Sequence, residues 1–290
     1  MAAASAPIEL AALTLILALI GGLFPIFSKI KENPETLRRI TGIASGILLA
    51  SALLIVVPEG FELATGEHED HEEEGHEEEE AGHEEEELGN LLIGGAILAG
   101  FLMMLILEGS GIGHAIHEEH HDHHDEHGHE HVHHMTTPWL LVLGLSMHSA
   151  ADGLAIGSAA AGTSEAVTAL VAMAVLIHKV PAAFSLGVFS MHEREDRNDS
   201  IRDVVLFSLA TPVMIMISFY ALEGLDGHLI ALAMLFAAGT FLYVATVDTL
   251  PDIHNPETGR EALKNVLIGV VVMVLVLYGA DAVGLIEHGH

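Results

Sequence analysis

Two apolar stretches of this chain each carry ionisable residues near their middle. His148 and Asp152 lie four residues apart in the first stretch, and the second contains His178 followed directly by Lys179. Residues four apart on a helix share a face, so His148 and Asp152 point the same way. Two imidazoles and one carboxylate suit a borderline divalent cation such as zinc. The spacing therefore predicts a metal site with His148, Asp152 and His178 as ligands.

The surroundings of these residues strengthen the prediction. A charged side chain at the centre of a bilayer costs about 2.5–3.5 kcal/mol on insertion scales, so such residues are retained mainly where they have a function. A buried ion pair between Asp152 and Lys179 is an alternative that the sequence leaves open.

The helices around the site also show a pattern. Gly153 and Gly157 form a small-residue face next to the first pair, and we expect this face to bring the following helix, with His178, within ligand distance. Pro181 lacks a backbone N–H, which leaves the carbonyl of Ile177 without its helical partner. A kink of this kind suits a helix that lines a cavity.

The long apolar runs predict an all-α membrane protein. A hydrocarbon core of about 30 Å requires roughly 20 apolar residues in each helix, and 51% of this chain is hydrophobic. Eight runs meet this requirement and account for nearly the whole chain, which predicts a single transmembrane domain over residues 1–290. The eight predicted helices lie near 8–28, 38–57, 89–108, 138–161, 165–191, 203–222, 228–251 and 264–285.

Lysine and arginine predict the orientation. The chain contains ten of them, and all except Lys179 fall in the connections after the first, fifth and seventh runs. Eight crossings place these connections on one face, which the positive-inside rule makes cytoplasmic. Both termini are then predicted to be extracellular, in a multi-pass protein of the cell membrane.

Two predicted loops carry much of the charge. Residues 66–88 contain fourteen carboxylates, which predicts a disordered outer loop that attracts cations weakly. The formal net charge of −31 argues against nucleic acid as a partner, because the polyanion would be repelled. Residues 114–136 form a predicted cytoplasmic loop whose composition is typical of metal binding. Its candidate ligands are His120, His121, His123, His124, His127, His129, His131, His133 and His134.

At these motifs the chain resembles the ZIP (Zrt/Irt-like) family of divalent metal transporters. The similarity comprises His148-Ser-x-x-Asp152-Gly153, the His178-Lys179 pair, and AGTFLYVATVDTLPD at 238–252. The resemblance implies an alternating-access carrier with eight helices and outward termini, often a homodimer. Such a carrier would move zinc, or related ions such as Fe²⁺, Cd²⁺, Co²⁺ and Mn²⁺, toward the cytoplasm. The resemblance implies neither an enzyme nor a resident cofactor.

The resemblance also implies a difference from relatives that bind two metals. Their second site uses positions that here hold Ser149, Lys179 and Thr211. The Lys179 ammonium would repel a second dication strongly in a low-dielectric interior, so one metal is predicted. Many relatives carry Glu where Asp152 stands, and its shorter side chain is expected to alter coordination. Further candidates along the ion pathway are Glu59, Glu62 and Asp248.

Three other functions share parts of this pattern. An intramembrane metalloprotease needs a general base, typically from H-E-x-x-H, and Ser149 follows His148 here. A cation-diffusion-type exporter also uses His-x-x-x-Asp, but it has about six crossings and commonly a soluble C-terminal domain. A divalent cation channel stays open as an alternative, because channels and carriers differ in kinetics rather than in ligand type.

Overall fold

The computed structural model describes residues 7–28, 34–65, 89–110, 138–194, 196–247 and 253–282. The regular elements in these ranges are all helical, which confirms the all-α prediction. A helix suits lipid because it satisfies its backbone hydrogen bonds internally. The helices are α1 (Ile8–Phe27), α2 (Pro34–Ser51), α3 (Val57–Thr65), α4 (Asn90–Gly109), α5 (Pro138–Gly162), α6 (Glu165–Glu193), α7 (Arg197–Leu222), α8 (Gly227–Val247) and α9 (Gly259–Ala282); a π-helical turn, Ala52–Val56, joins α2 to α3.

Seven helical segments in the described ranges are long and apolar enough to cross a membrane. One of them combines α2, the π-helical turn and α3, from Arg38 to Thr65. Helix α5 is not among the seven, although it has 25 residues. The chain is therefore a multi-pass membrane protein, while its eighth crossing and the orientation of its termini stay predictions.

The helices pack as two groups. In the first group, α5 packs along α7, and α1 packs on α6 and α7. In the second group, α9 packs along α2, and α3 and α4 pack on α8. The two groups meet where α5 lies against α8 and where α2 lies against α6. The first group thus consists of α1, α5, α6 and α7, and the second group consists of α2, α3, α4, α8 and α9.

Two glycines bring the backbones of α5 and α7 into close contact. A Cβ atom on Gly153 would lie 2.5 Å from the carbonyl oxygen of Thr211, and one on Gly157 would lie 2.6 Å from that of Ile215. Neither position has room for a side chain. The glycine face was expected to pack on α6, but it packs on α7. What keeps α6 close to α5 is the connection between them, which has only two residues.

Polar contacts near the helix ends join helices within each group. In the first group, Asp203 of α7 accepts hydrogen bonds from Nε of Arg194 and Oγ of Ser190, both at 2.8 Å. In the second group, the Tyr243 hydroxyl of α8 donates to Oε2 of Glu108 on α4 at 2.7 Å. These bonds tie together helices that already belong to the same group.

Several predicted features lie outside the described residues. They are the outer loop at 66–88, the His-rich loop at 114–136 with its candidate ligands, and Asp248. The statements made about them from the sequence stay predictions.

Candidate metal centre

Helices α5 and α6 bring four ionisable side chains together in the first group. Helix α5 supplies His148 and, one turn later, Asp152, and α6 supplies His178 and Lys179. Their exposed fractions are 5%, 0%, 4% and 0%, in that order. The Ser164 side chain caps the N-terminus of α6 and so fixes where this helix begins after α5. The three predicted ligands thus share one buried cluster with the lysine.

The two imidazoles face each other. Nε2 of His148 lies 3.0 Å from Nε2 of His178, and the ring planes are inclined by 81°. A hydrogen bond at this distance needs a proton on only one of the two nitrogens. Two nitrogens bound to one tetrahedral zinc ion would lie roughly 3.3 Å apart, given Zn–N bonds of about 2.0–2.1 Å. The pair therefore stands close to the spacing that a shared ion requires.

The two oxygens of Asp152 have different surroundings. Oδ2 accepts a hydrogen bond from Nζ of Lys179 at 3.3 Å. Oδ1 lies 3.8 Å from Nε2 of His148 and has no hydrogen-bond partner in the described part of the chain. Burying a carboxylate oxygen without a partner is costly. Oδ1 is therefore the atom of Asp152 that remains available to an ion held by the imidazoles.

The cluster is not a finished ligand set. Across the described ranges, no group of three His, Cys, Asp or Glu side chains is arranged to hold a metal ion. Oδ1 of Asp152 lies 3.8 Å from Nε2 of His148, and Oδ2 is bonded to Lys179.

The ammonium of Lys179 is surrounded by acceptors. It donates to Oγ1 of Thr211 at 2.6 Å, to Oδ2 of Asp152 and to Oγ of Ser149, and its Nζ lies 4.4 Å from the ring centroid of Phe207. The Thr211 hydroxyl donates to the carbonyl of Ser149 at 2.7 Å, and the Ser149 hydroxyl donates to the carbonyl of Phe207 at 3.2 Å. Both hydroxyls therefore direct lone pairs at the ammonium. We call these four neighbours of Nζ the ammonium cage.

The cage and its ammonium include the three positions that correspond to the second metal site of binuclear relatives. Ser149, Lys179 and Thr211, implied as substitutes for a second metal site, come from three helices and meet at one point. The ion pair between Lys179 and Asp152, left open as an alternative, is also present. It is compatible with a role of Asp152 as a metal ligand, because it uses only Oδ2.

Phe207 belongs to the cage although no motif in the sequence indicates it. It is fully buried on α7, one helical turn before Thr211. A buried aromatic residue in an apolar helix is usually part of the packing core. The only available signal was its spacing of four residues from Thr211, which places both on one face of α7.

Two of the predicted pathway residues belong to a different group of helices from the metal cluster. Glu59 and Glu62 lie on α3 in the second group, and both side chains are half-buried. They are three residues apart and therefore share a face of the helix. Their role in an ion pathway stays a prediction.

Comparisons with known proteins point to one family. A family model described as ZIP Zinc transporter matches residues 5–110 and 109–277. The chain is 32% identical over 265 residues to Zinc transporter ZIP9 of Xenopus tropicalis, covering 83% of this chain and 84% of the relative. It is 34% identical over 287 residues to Zinc transporter ZIP9 of Micropogonias undulatus, covering 88% and 89%. Zinc transporter ZIP1 of Danio rerio is 30% identical over 164 residues, covering 56% and 49%.

Proposed function

The chain belongs to the ZIP zinc transporter family, and from this premise we propose that it carries zinc across the cell membrane into the cytoplasm through a site formed by His148, Asp152 and His178. The family membership confirms the resemblance seen in the motifs. Transport of a divalent metal ion is the family's activity and not an enzymatic reaction. The direction, the ligands and the number of ions bound are parts of the proposal.

The observation that carries the proposal is the buried imidazole pair with its neighbouring carboxylate. Nε2 of His148 and Nε2 of His178 lie 3.0 Å apart, and Oδ1 of Asp152 has no hydrogen-bond partner in the described ranges. Nitrogen and oxygen ligands in this combination suit Zn²⁺, and also Fe²⁺, Co²⁺, Cd²⁺ and Mn²⁺ to differing degrees. Three protein ligands leave a fourth coordination position of a tetrahedral ion to a further group.

The proposed site binds a single ion. The ammonium cage already contains a positive charge, bonded to Ser149, Thr211 and Asp152. A second dication beside this charge would be repelled in the low-dielectric interior. In this proposal Lys179 takes the place of the second metal found in binuclear relatives.

The orientation follows from the positive-inside rule. Eight crossings, with α5 as the fourth, place both termini outside and the His-rich loop at 114–136 in the cytoplasm. In this arrangement the acidic loop at 66–88 collects cations at the outer face, and the inner loop receives them. Assembly as a homodimer is part of the same proposal.

The packing supports a carrier over a channel. His148, Asp152, His178 and the cage all belong to the first group of helices, so a movement of that group against the second would carry the site as a unit. The saturation kinetics and counterflow that distinguish a carrier from a channel are measurable in the same vesicles.

The function is tested by metal uptake into proteoliposomes, with the pH and the voltage set independently. His178→Ala and Asp152→Ala should each lower zinc uptake by about 100-fold, because each removes one of three protein ligands in a site that water completes poorly. His192→Ala is the matched control, since His192 lies on the same helix with its Nδ1 2.9 Å from the carbonyl oxygen of Val188. Near-normal uptake by both ligand variants at saturating zinc would exclude the proposed site.

A further inference from the structure

The ammonium of Lys179 and the metal ligands share one carboxylate. Oδ2 of Asp152 is bonded to Nζ, while Oδ1 faces His148 at 3.8 Å. If Nζ moved toward Oδ1, it would engage both oxygens and leave the two imidazoles without a carboxylate. The position of the ammonium therefore decides whether Asp152 can contribute to the binding of an ion.

Phe207 is placed to fix that position. Its ring centroid lies 4.4 Å from Nζ of Lys179, and the residue is fully buried. The negative face of an aromatic ring attracts a cation, and the attraction is stronger where water is excluded. The ring is itself held in a packed cluster that includes Ala183 and Leu186 of α6.

The backbone of Phe207 acts on the same charge. Its carbonyl accepts the proton of the Ser149 hydroxyl, which turns the lone pairs of that hydroxyl toward Nζ. Thr211, one turn along α7, supplies another acceptor at 2.6 Å. One face of α7 thus attracts the ammonium directly, with the Phe207 ring and the Thr211 hydroxyl. It also acts indirectly, because the Phe207 carbonyl orients the Ser149 hydroxyl.

We propose that Phe207 is a positioning residue for the transport site: its ring holds the Lys179 ammonium on the α7 side of the cage and so keeps Oδ1 of Asp152 available to the ion. This proposal rests on the proposed function, because it takes His148, Asp152 and His178 as the ion's ligands. Phe207 itself is not a ligand of the ion. Its effect is therefore on the affinity for the ion and not on the maximal rate of transport.

A series of fluorinated phenylalanines at position 207 tests the proposal. Mono-, di- and trifluorophenylalanine keep nearly the size of the ring but progressively weaken its attraction for a cation. The KM for zinc uptake should rise with each fluorine, reaching about tenfold for the trifluoro ring, while the maximal rate stays within about twofold. In the Lys179→Met background the series should be flat, because there is no cation to hold.

Phe219 supplies the matched control. It is also buried on α7, with 1% of its surface exposed, and its ring neighbour is Tyr220 at 5.4 Å rather than a cation. Fluorination there should leave KM unchanged.

A flat series at Phe207 would overturn the positioning role. An equal rise in KM in the Lys179→Met background would also overturn it, because Phe207 would then act through packing alone. Either result leaves the proposed function standing if His178→Ala abolishes uptake. Normal uptake by His178→Ala would instead remove the proposed function, whatever the series shows.

Discussion

The two groups of helices differ in where they place their charges. The first group buries Asp152 and Lys179 completely, in the middle of its packing. In the described part of the second group, the charged residues lie toward the helix ends. A cavity of about 540 Å³ where α2 and α9 begin is lined by Glu257, which precedes α9, and by four charged residues of the two helices: Glu35, Arg38, Arg39 and Glu261.

The difference lies in what it costs each group to hold its charges. Charges at helix ends reach water and therefore cost little. Charges buried among apolar helices are expensive unless each has a partner. In the first group, the ammonium cage provides partners for the buried charge of Lys179. The interior of the second group consists mainly of apolar residues, such as Leu235, Phe241 and Met273.

The largest effect is expected from reversing the charge inside the cage. Lys179→Asp puts a second carboxylate beside Asp152, and without metal this should destabilise the protein by about 3–5 kcal/mol. Zinc should restore the stability and occupy two positions in the membrane, which anomalous scattering from protein lacking residues 114–136 would count. Lys264→Asp, on an exposed position of α9, should change neither the stability nor the ion count. Two zinc ions in the wild-type site would refute the role assigned to Lys179.

A smaller effect is expected from the glycines that set the helix spacing in each group. Gly157→Ala should cost about 1–3 kcal/mol, because its Cβ would press on the backbone at Ile215, and it should also raise the KM for zinc. Gly46→Ala meets the backbone at Val266 in the second group and should cost similar stability with KM unchanged. Gly94→Ala, with nothing within 4 Å, is the neutral control. Thermal unfolding and uptake together separate these outcomes, and an equal KM change at both tight glycines would erase the distinction between the groups.

The smallest effect is expected at the polar contact of the second group. Tyr243→Phe removes the hydrogen bond to Glu108 and should lower the free energy of unfolding by about 1–2 kcal/mol. Zinc uptake should keep its KM, since this contact holds α4 to α8 and lies outside the cage. A tenfold loss of zinc affinity in this variant would instead place Tyr243 on the ion pathway.

Much of the site follows from local spacing. His148 and Asp152 share a face because helical periodicity puts residues four apart together, and the short connection after α5 keeps His178 nearby. The helical class follows from the apolar runs, because lipid leaves the backbone few other structures. These features depend on neighbours in sequence, and a single sequence contains them.

What the sequence did not predict depends on which helices become neighbours. The glycine face of α5 packs on α7 instead of α6, and α7 places Phe207 against Lys179. Helix α7 also affects Asp152 indirectly. The ammonium that bonds Oδ2 of Asp152 donates a second hydrogen bond to Thr211 of α7. Long-range pairing of this kind leaves no periodic signal in the helix that contributes it.

The positive charge of Lys179 is covalently part of the chain, whereas a bound metal ion can dissociate. A protein that relied on a second bound metal to neutralise its interior would lose that charge when the metal is scarce. The ammonium bonded to Ser149, Thr211 and Asp152 is present from the moment the chain folds and cannot be removed by a chelator. A transporter with this arrangement keeps the internal positive charge when the metal is scarce.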